Sequence, residues 1–280
     1  MTPVVDEERD EPDPLIEALA ATPAGGVVPR GTVIDGQYKV ERVLGEGGMG
    51  VVYLARDLKL DREVAIKVGI ERSAAAIGRL AREAMALARL SHPNVVVIHQ
   101  VGELGGRAFV AMEYVPGGTA RTWCQGKGRR EVVALYIAAG EGLAAAHAAG
   151  LVHRDFKPDN VLVGADGRPR VADFGLARVQ LAAGAGAGMT GALGTPAYMA
   201  PEQFGDGEVD ARADQFALCA SLWEALFGER PFAERTTERE AIRAEPVRGA
   251  GGKGVPGHIE AALRRGLAPR PDQRWPALEP

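Results

Sequence analysis

The positions of the apolar residues divide the chain into a strand-rich part and a helix-rich part. From Gln37 to Val115, short apolar runs are separated by glycine and polar turns, which is typical of β-strands. Between two of these runs, positions 74–90 carry apolar residues at helical spacing. We therefore predict a mostly β-sheet region with one helix in residues 31–116. The predicted strands are 37–44, 51–57, 62–70, 95–104 and 107–115.

In the second half of the chain the apolar spacing is mainly helical. We predict helices over 132–149 and 213–227, because each pattern is followed by a glycine, a residue that favours a helix end. Short strand-like pieces lie between the two helices and are joined by a turn at Asp166. The run 181–188 is almost entirely alanine and glycine, so we predict a loop there.

The charge of the chain is concentrated at its start. Residues 1–30 contain seven acids and two arginines, together with proline and glycine, and we predict an acidic disordered tail. Since the whole chain carries a net charge of −4, residues 31–280 carry +1. Nucleic-acid binding needs a basic surface, so this near-neutral body predicts that no nucleic acid is bound.

We predict a cytoplasmic protein with no membrane segment. The longest apolar stretch, 132–152, is interrupted by Glu141 and His147, which favours a buried helix. The start of the chain lacks the basic and apolar regions of a secretion signal. Cys124 and Cys219 have no spacing typical of a disulfide framework or a zinc site, as expected for a reducing compartment.

A glycine-rich segment provides the first candidate binding site. Gly45, Gly47 and Gly50 leave room for backbone N–H groups to approach phosphate oxygens closely. A dinucleotide-binding fold would continue directly into a helix, whereas here residues 51–55 continue as a strand. The pattern favours a hairpin that covers a nucleotide, and a plain glycine-rich turn is the alternative.

Lys67 stands in the middle of an apolar strand and needs a polar partner for its ammonium group. An unpaired buried charge is costly, and phosphate oxygens or a carboxylate would satisfy it. Glu83, on the predicted helix that follows, is the natural carboxylate. The alternative is a lysine at a sheet edge that reaches solvent.

A third group of polar residues has the composition of a phosphoryl-transfer site. Asp155 could accept the proton of an acceptor hydroxyl, and Lys157 could offset phosphate charge. Asn160 and Asp173 offer the hard oxygen ligands that suit Mg²⁺. The HRD at 153–155 or the DFG at 173–175 alone would be weak evidence, but the order and spacing of these motifs together are strong evidence.

Taken together, these segments resemble the protein kinase family, in its bacterial, eukaryotic-like serine/threonine branch. The resemblance implies an α+β, two-lobed fold. A small N-lobe (31–116) would hold an antiparallel sheet and one helix, and a larger C-lobe (117–280) would be mainly helical. The motifs are the glycine loop, VAIK at 64–67, HRDFKPDN at 153–160, DFG at 173–175 and GTPAYMAPE at 194–202.

The resemblance implies that the chain binds ATP with Mg²⁺, or with Mn²⁺ in its place. Lys67 would bind the α- and β-phosphates and pair with Glu83. Asp155 would be the catalytic base, and Asn160 and Asp173 would hold the metal. The implied adenine contacts are Val52 and Ala65 above, Leu162 below, and the backbone of Glu113 and Val115, with Met112 as gatekeeper.

The resemblance also implies two structural contacts in the folded kinase. Glu202 and Arg274 would form a buried ion pair in the larger lobe. His153, Phe174 and Leu87 would stack as an apolar column, whose alignment marks the active state.

The acceptor and its regulation follow from the same resemblance. Lys157 and Thr195 match the serine/threonine pattern, so the partners would be proteins with Ser or Thr acceptors. Arg154 precedes the base, as in kinases that are activated when a loop phosphate pairs with this arginine. Thr190 is the best candidate for that phosphate, added by a second copy of the chain in a trans-autophosphorylation dimer.

Two alternative functions stay open, and the chain differs from the family pattern at its end. A pseudokinase scaffold would usually have lost Lys67, Asp155 or Asp173, and a small-molecule phosphotransferase would not need the segment 194–202. The chain ends six residues after Arg274, where the family's last helix would continue. We therefore expect a truncated last helix and apolar surface left exposed in the larger lobe.

Overall fold

The computed structural model describes residues 27–47, 50–72, 74–174, 196–204, 209–232 and 254–278. The N-terminal part is a six-stranded sheet in the order β1-β2-β3-β4-β6-β5, with every neighbouring pair antiparallel. One helix, α1 (Ala74–Ala88), packs on β5 and β6. The strands are β1 (Val33–Ile34), β2 (Tyr38–Gly47), β3 (Gly50–Asp57), β4 (Arg62–Gly69), β5 (Ile98–Leu104) and β6 (Arg107–Glu113).

Because side chains alternate along each strand, the two faces of the sheet carry different apolar clusters. Tyr38, Tyr53 and Ile66 are fully or almost fully buried in one apolar cluster on one face. On the other face Ala65, Val110 and Met112 belong to a second cluster, which also includes Ala84 and the C-lobe residue Ala172. The second face is therefore directed towards the rest of the molecule.

The C-terminal part is mainly helical and contains a small sheet. Helices α3 (Arg129–Ala148) and α4 (Ala211–Phe227) pack against each other, and α4 packs on α5 (Gly257–Gly266). Among the described helices, none combines the length and apolarity that crossing a membrane requires. The remaining elements are β7 (Gly117–Thr119), α2 (Ala120–Trp123), β8 (Val161–Gly164) and β9 (Pro169–Val171), with β8 in the centre of an antiparallel sheet.

The segment 94–97 ties the two lobes together. Asn94 accepts from the backbone N–H of Val171 at 2.8 Å, and its side chain donates to the carbonyl of Pro169 at 2.9 Å. Val96 donates in turn to the carbonyl of Val171 at 3.0 Å. A Cβ atom at position 142 in α3 would collide with the Asn94 carbonyl, so Gly142 permits the close approach. Strand β9 is thereby fixed relative to both lobes.

The two-lobed fold expected from the sequence is confirmed, with small shifts at element ends. The predicted helices end within about two residues of the observed ends at five of six termini, and α3 begins earlier, at Arg129. Strands β1 and β7 and helices α2 and α5 were not predicted. Two of the three residues of β7 are glycines, which are depleted in strands, and pairing with β8 recruits them into the sheet. The acidic tail and the 181–188 loop lie outside the described residues.

Candidate active site

Lys67 lies on β4 and has only 8% of its surface exposed. Its Nζ atom lies 2.9 Å from Oδ1 of Asp173, which follows the end of β9 by two residues. Burial acts to raise the pKa of Asp173, but the Lys67 ammonium outweighs burial, and this pKa lies below its ordinary value. Asp173 is therefore held as an anion by a cation from the other lobe.

The side chain of Glu83, the expected partner of Lys67, lies outside the described part of the chain. Glu83 itself is on α1, the helix that packs on β5 and β6. The Lys67–Glu83 pair stays a prediction, and the described partner of Lys67 is Asp173.

The loop 153–160 gathers three of the predicted site residues. Nζ of Lys157 lies 3.0 Å from Oδ2 of Asp155. Nδ2 of Asn160 donates to the backbone carbonyl of Asp155 at 2.7 Å and lies 3.4 Å from Oδ2 of the same residue. Lys157 also adds to the effect of Lys67 on the pKa of Asp173. The two ion pairs therefore lie within electrostatic reach of each other.

Asp214, in the first turn of α4, fixes the backbone of this loop. It is completely buried and accepts from the backbone N–H groups of His153 and Arg154, each at 2.7 Å. Nε2 of His147 lies 2.7 Å from Oδ2 of Asp214. Arg154 has a φ of 66°, a left-handed conformation that non-glycine residues rarely adopt. The bonds to Asp214 stabilise this turn directly before Asp155.

Two of the three residues of the expected apolar column are in contact. The rings of His153 and Phe174 lie 4.6 Å apart, and Leu87 of α1 belongs to the same buried cluster. Nε2 of His153 also lies 2.8 Å from the carbonyl oxygen of Ala172. The ring of Phe156 packs edge-on to that of His153, with the ring centroids 5.8 Å apart. These ring contacts join the loop 153–160 to the segment that carries Asp173, and the contact of Leu87 with them stays a prediction.

The residues expected to hold adenine lie in one apolar cluster between the lobes. Ala65 and Met112 are buried in it. Val52, Val115 and Leu162 are partly exposed and pack against it. Partly exposed apolar side chains from both lobes are suited to contact the faces of a flat aromatic ring.

Glu113 lies at the end of β6, where the chain passes from one lobe to the other. Its backbone N–H donates to the carbonyl of Val97 at 2.8 Å. Its carboxylate pairs with Nε of Arg170, on β9, at 2.8 Å. Arg170 also contacts Asp166 at 3.2 Å. An ion pair thus connects the hinge (residues 113–116) with the strand that leads to Asp173.

The three glycines of the predicted nucleotide loop lie at the tip of the β2–β3 hairpin. Gly45 faces Val52, and Gly47 faces Gly50, while residues 48 and 49 are outside the described part. A Cβ atom at Gly50 would collide with the carbonyl oxygen of Val68 on β4, so only glycine fits there. The chain continues as β3, as expected for a hairpin and unlike a dinucleotide-binding turn.

The predicted regulatory residues are described only in part. Thr190 and Thr195 lie outside the described residues, as does Gly175. Arg154 is described and half-buried. The phosphorylation hypothesis therefore stays a prediction.

A known family model matches most of the chain, which shows the family to which the chain belongs. The model of the family described as protein kinase domain matches residues 38–250. The chain belongs to the protein kinase domain family. Two solved structures of the kinase domain of Mycobacterium tuberculosis PknI, one a C20A mutant, are 29% identical to it. Each superposes with a TM-score of 0.71 over 90% of this chain and 95% of the other.

Curated relatives of this kinase domain are named as serine/threonine-protein kinases. PknL of Mycobacterium tuberculosis is 41% identical over 207 residues, which cover 71% of this chain and 51% of PknL. PknB of the same species is 34% identical over 257 residues, covering 86% of this chain and 41% of PknB. This kinase domain thus spans about half or less of the length of these relatives.

The large-lobe ion pair expected of a kinase is confirmed. Nη1 and Nη2 of Arg274 lie 2.7 and 2.8 Å from the two carboxylate oxygens of Glu202. The Arg274 side chain is fully buried, whereas 13% of the Glu202 side chain is exposed.

The side chains near the two ion pairs fit a divalent cation held between kinase and phosphates. Among the described residues, no cluster of three or more His, Cys, Asp or Glu forms a metal cage built from protein alone. Because the amide nitrogen of Asn160 donates to Asp155, its amide oxygen remains available as a ligand. Asp173 keeps 32% of its side chain exposed beside Lys67. Few protein ligands, with phosphate supplying others, is the arrangement Mg²⁺ prefers.

Sequence reasoning missed the residues that support this kinase site from other elements. His147 was treated only as an interruption of an apolar stretch, yet it contacts Asp214. Arg170 was not singled out, although it pairs with Glu113. The sequence indicated these residues only by placing an arginine or a histidine within an apolar pattern. Such a pattern does not predict which residue the side chain contacts.

Proposed function

We propose that the chain is a protein serine/threonine kinase, which transfers the γ-phosphoryl group of ATP to Ser or Thr hydroxyls of proteins. The proposal is supported by two neighbouring ion pairs at the junction of the lobes, Lys67–Asp173 and Lys157–Asp155. They lie close enough for Lys157 to lower the pKa of Asp173 as well. This arrangement supplies a carboxylate for the acceptor hydroxyl and cations for the phosphates.

Asp155 receives the proton of the acceptor hydroxyl as the hydroxyl oxygen attacks the γ-phosphorus. The bond from that phosphorus to the β–γ bridging oxygen breaks at the same time, and ADP leaves. Its other neighbours keep it in place, since Asn160 holds its carbonyl and Asp214 fixes the two residues before it. Lys157, 3.0 Å from Asp155, lies where it can offset charge on the transferred group. Preorganised charges of this kind stabilise the transition state without reorganisation at the moment of reaction.

Lys67 orients the nucleotide by binding the α- and β-phosphates, and Gly45, Gly47 and Gly50 cover them with backbone N–H groups. Asn160 and Asp173 would hold Mg²⁺, or Mn²⁺ in its place, and the bound cation would supply positive charge against the phosphates. The adenine ring packs between Val52, Ala65 and Leu162 and bonds to the hinge backbone at Glu113 and Val115.

Ser and Thr are proposed as acceptors because Lys157 follows the base and Thr195 lies in the GTPAY segment. Thr190 is proposed as an acceptor in a second copy of the chain, with Arg154 as a partner of the resulting phosphate. Both cysteines are free thiols, which supports activity in the reducing cytoplasm.

The test compares the wild type with Asp155→Asn, using labelled ATP, Mg²⁺ and a generic protein acceptor. Because the substitution removes the base and keeps the shape, we expect transfer to fall by about 10²-fold or more, with nucleotide affinity changed little. Analysis of the labelled product should find phosphoserine or phosphothreonine. Equal transfer by the two proteins would refute the proposed mechanism.

Two further outcomes separate the alternatives. Nucleotide binding without transfer by the wild type would favour a pseudokinase scaffold. Mass spectrometry after incubation with ATP tests Thr190, and an unmodified peptide from an active enzyme would contradict that assignment. Omission of metal, followed by addition of Mg²⁺ or Mn²⁺, identifies the cation that restores transfer.

A further inference from the structure

Arg121, on α2, connects three other parts of the C-lobe beside the loop 153–160. Its Nε and Nη2 atoms donate to the two carboxylate oxygens of Asp159 at 2.9 and 2.8 Å. Nη2 also donates to the hydroxyl of Tyr198 at 2.8 Å, and Nη1 donates to Oε1 of Glu224, on α4, at 3.3 Å. One guanidinium therefore holds groups from the loop, from the segment 196–204 and from α4.

This cluster lies next to the proposed point of phosphoryl transfer. Asp159 comes two residues after Lys157, whose ammonium contacts the base Asp155. Arg121 and Asp159 have 34% and 44% of their side chains exposed, so the cluster reaches solvent. A cleft of about 260 Å³ opens beside it, lined by Arg121, Pro158 and Glu224 among others.

The charges of the cluster are balanced within the chain. Asp159 and Glu224 are the two acids, and Arg230 is a second cation, with its Nε atom 3.6 Å from Oε1 of Glu224. The hydrogen bonds between Arg121 and Asp159 raise the pKa of the guanidinium and lower that of the carboxyl group. Both groups are therefore charged at neutral pH, and the bidentate geometry uses both oxygens of Asp159.

We propose that Arg121 is a specificity-determining residue, which occupies the cleft beside Asp159 and Glu224 from within the chain. The proposal rests on the proposed kinase function. An arginine of a protein substrate would need Asp159 and Glu224 as partners, and Arg121 already engages both. The wild-type enzyme is therefore indifferent to arginine near the acceptor, and removal of the guanidinium creates a preference for it.

The test measures kcat/KM on serine peptides that carry either arginine or alanine at each position up to four residues from the acceptor. The wild type should treat the two peptides of each pair alike, within about two-fold. Arg121→Met should prefer arginine at one or two positions by roughly ten- to a hundred-fold, the range expected for regained hydrogen bonds between charged groups. Glu224→Gln, added to Arg121→Met, should reduce the gained preference.

Arg130→Met makes the same change at an exposed arginine on α3 and should leave the peptide preference of the wild type unaltered. If Arg121→Met proves unfolded by circular dichroism, Arg121→Gln gives the same test, because glutamine removes the charge and retains a donor. A folded Arg121→Met or Arg121→Gln variant that phosphorylates the alanine peptides without gaining a preference for arginine would overturn the proposal. A wild type that already prefers arginine more than five-fold would overturn it equally.

Failure of the underlying function gives a different result. In that case the wild type transfers no phosphate to any peptide of the set, whichever residue stands beside the serine. A wild type that phosphorylates the peptides keeps the proposed function and leaves only the role of Arg121 to be decided.

Discussion

The ion pair between Glu202 and Arg274 offers the sharpest test of how the large lobe is held together. All five N–H donors of Arg274 have acceptors. Two contact Glu202, and the other three contact the backbone carbonyls of Arg212, Ala268 and Pro269 at 2.8 to 3.2 Å. The guanidinium also lies 5.0 Å from the ring centroid of Phe216. The pair thus joins the end of the 194–202 motif, the start of α4 and the segment 268–274.

Arg274→Met removes the cation and leaves Glu202 largely buried without its partner. Breaking a buried pair by removal of one member costs about 3–5 kcal/mol. For a protein of this size, each kcal/mol lowers the melting temperature by about 2–4 °C. We therefore expect the melting temperature to fall by roughly 6–20 °C. Thermal unfolding followed by circular dichroism, with both proteins in the same buffer without nucleotide, measures this change.

The matched control is Arg270→Met, which breaks the exposed pair between Arg270 and Asp272, whose side chains are 67% and 60% exposed. Exposed pairs contribute about 0–1 kcal/mol, so the melting temperature should fall by no more than about 4 °C. Adding Glu202→Leu to Arg274→Met should recover part of the loss, because no uncompensated charge then remains. A melting temperature for Arg274→Met equal to that of the wild type would refute the reasoning.

Two further predictions concern the hinge and the N-lobe. The side chains of the Glu113–Arg170 pair are 27% and 15% exposed, so Arg170→Glu should raise the KM for ATP by roughly two- to five-fold with little change in kcat. Adding the reverse substitution, Glu113→Arg, should restore the KM. A double variant with the same KM as the single variant would show that the pair does not position the hinge. Burial acts to raise the pKa of Asp57, but hydrogen bonds from Gln37 and from nearby backbone N–H groups outweigh it, and the pKa lies below its ordinary value of 3.8. Because the folded pKa is lowered, Asp57 stabilises the fold above pH 3.8, and this contribution is lost as the pH falls through the folded pKa. Asp57→Asn should therefore show a smaller loss of stability between pH 5 and pH 3 in urea unfolding than the wild type, and an unchanged acid dependence would contradict the assignment.

The nature of the site could be predicted from the sequence because its parts are local. Asp155, Lys157 and Asn160 lie within one loop, and glycine, lysine and DFG motifs each depend on a few adjacent residues. Their order along the chain was enough to indicate the family and the two-lobed fold. Helices α3 and α4 are long apolar segments followed by or ending near a glycine, and they were likewise predicted with the correct type and nearly the correct ends.

The supporting contacts could not be predicted in this way, since each joins residues far apart in the chain. Arg121 and Glu224 are 103 positions apart, and Asp214 reaches back 61 positions to His153. The short strand β7 forms only because β8 offers it a partner. Similarly, the side chain of Lys67 could pair with several carboxylates, and the packing of β9 against the segment 94–97 brings Asp173 within reach.

The sequence by itself determined which chemical groups the protein carries and in what order. Only the tertiary structure decided which cation neutralises which acid, because the energy of an ion pair depends on distance and burial rather than on spacing along the chain. Arg121 illustrates the difference. In the sequence it is one of many arginines, and in the folded chain its guanidinium joins two acids from different elements, Asp159 and Glu224.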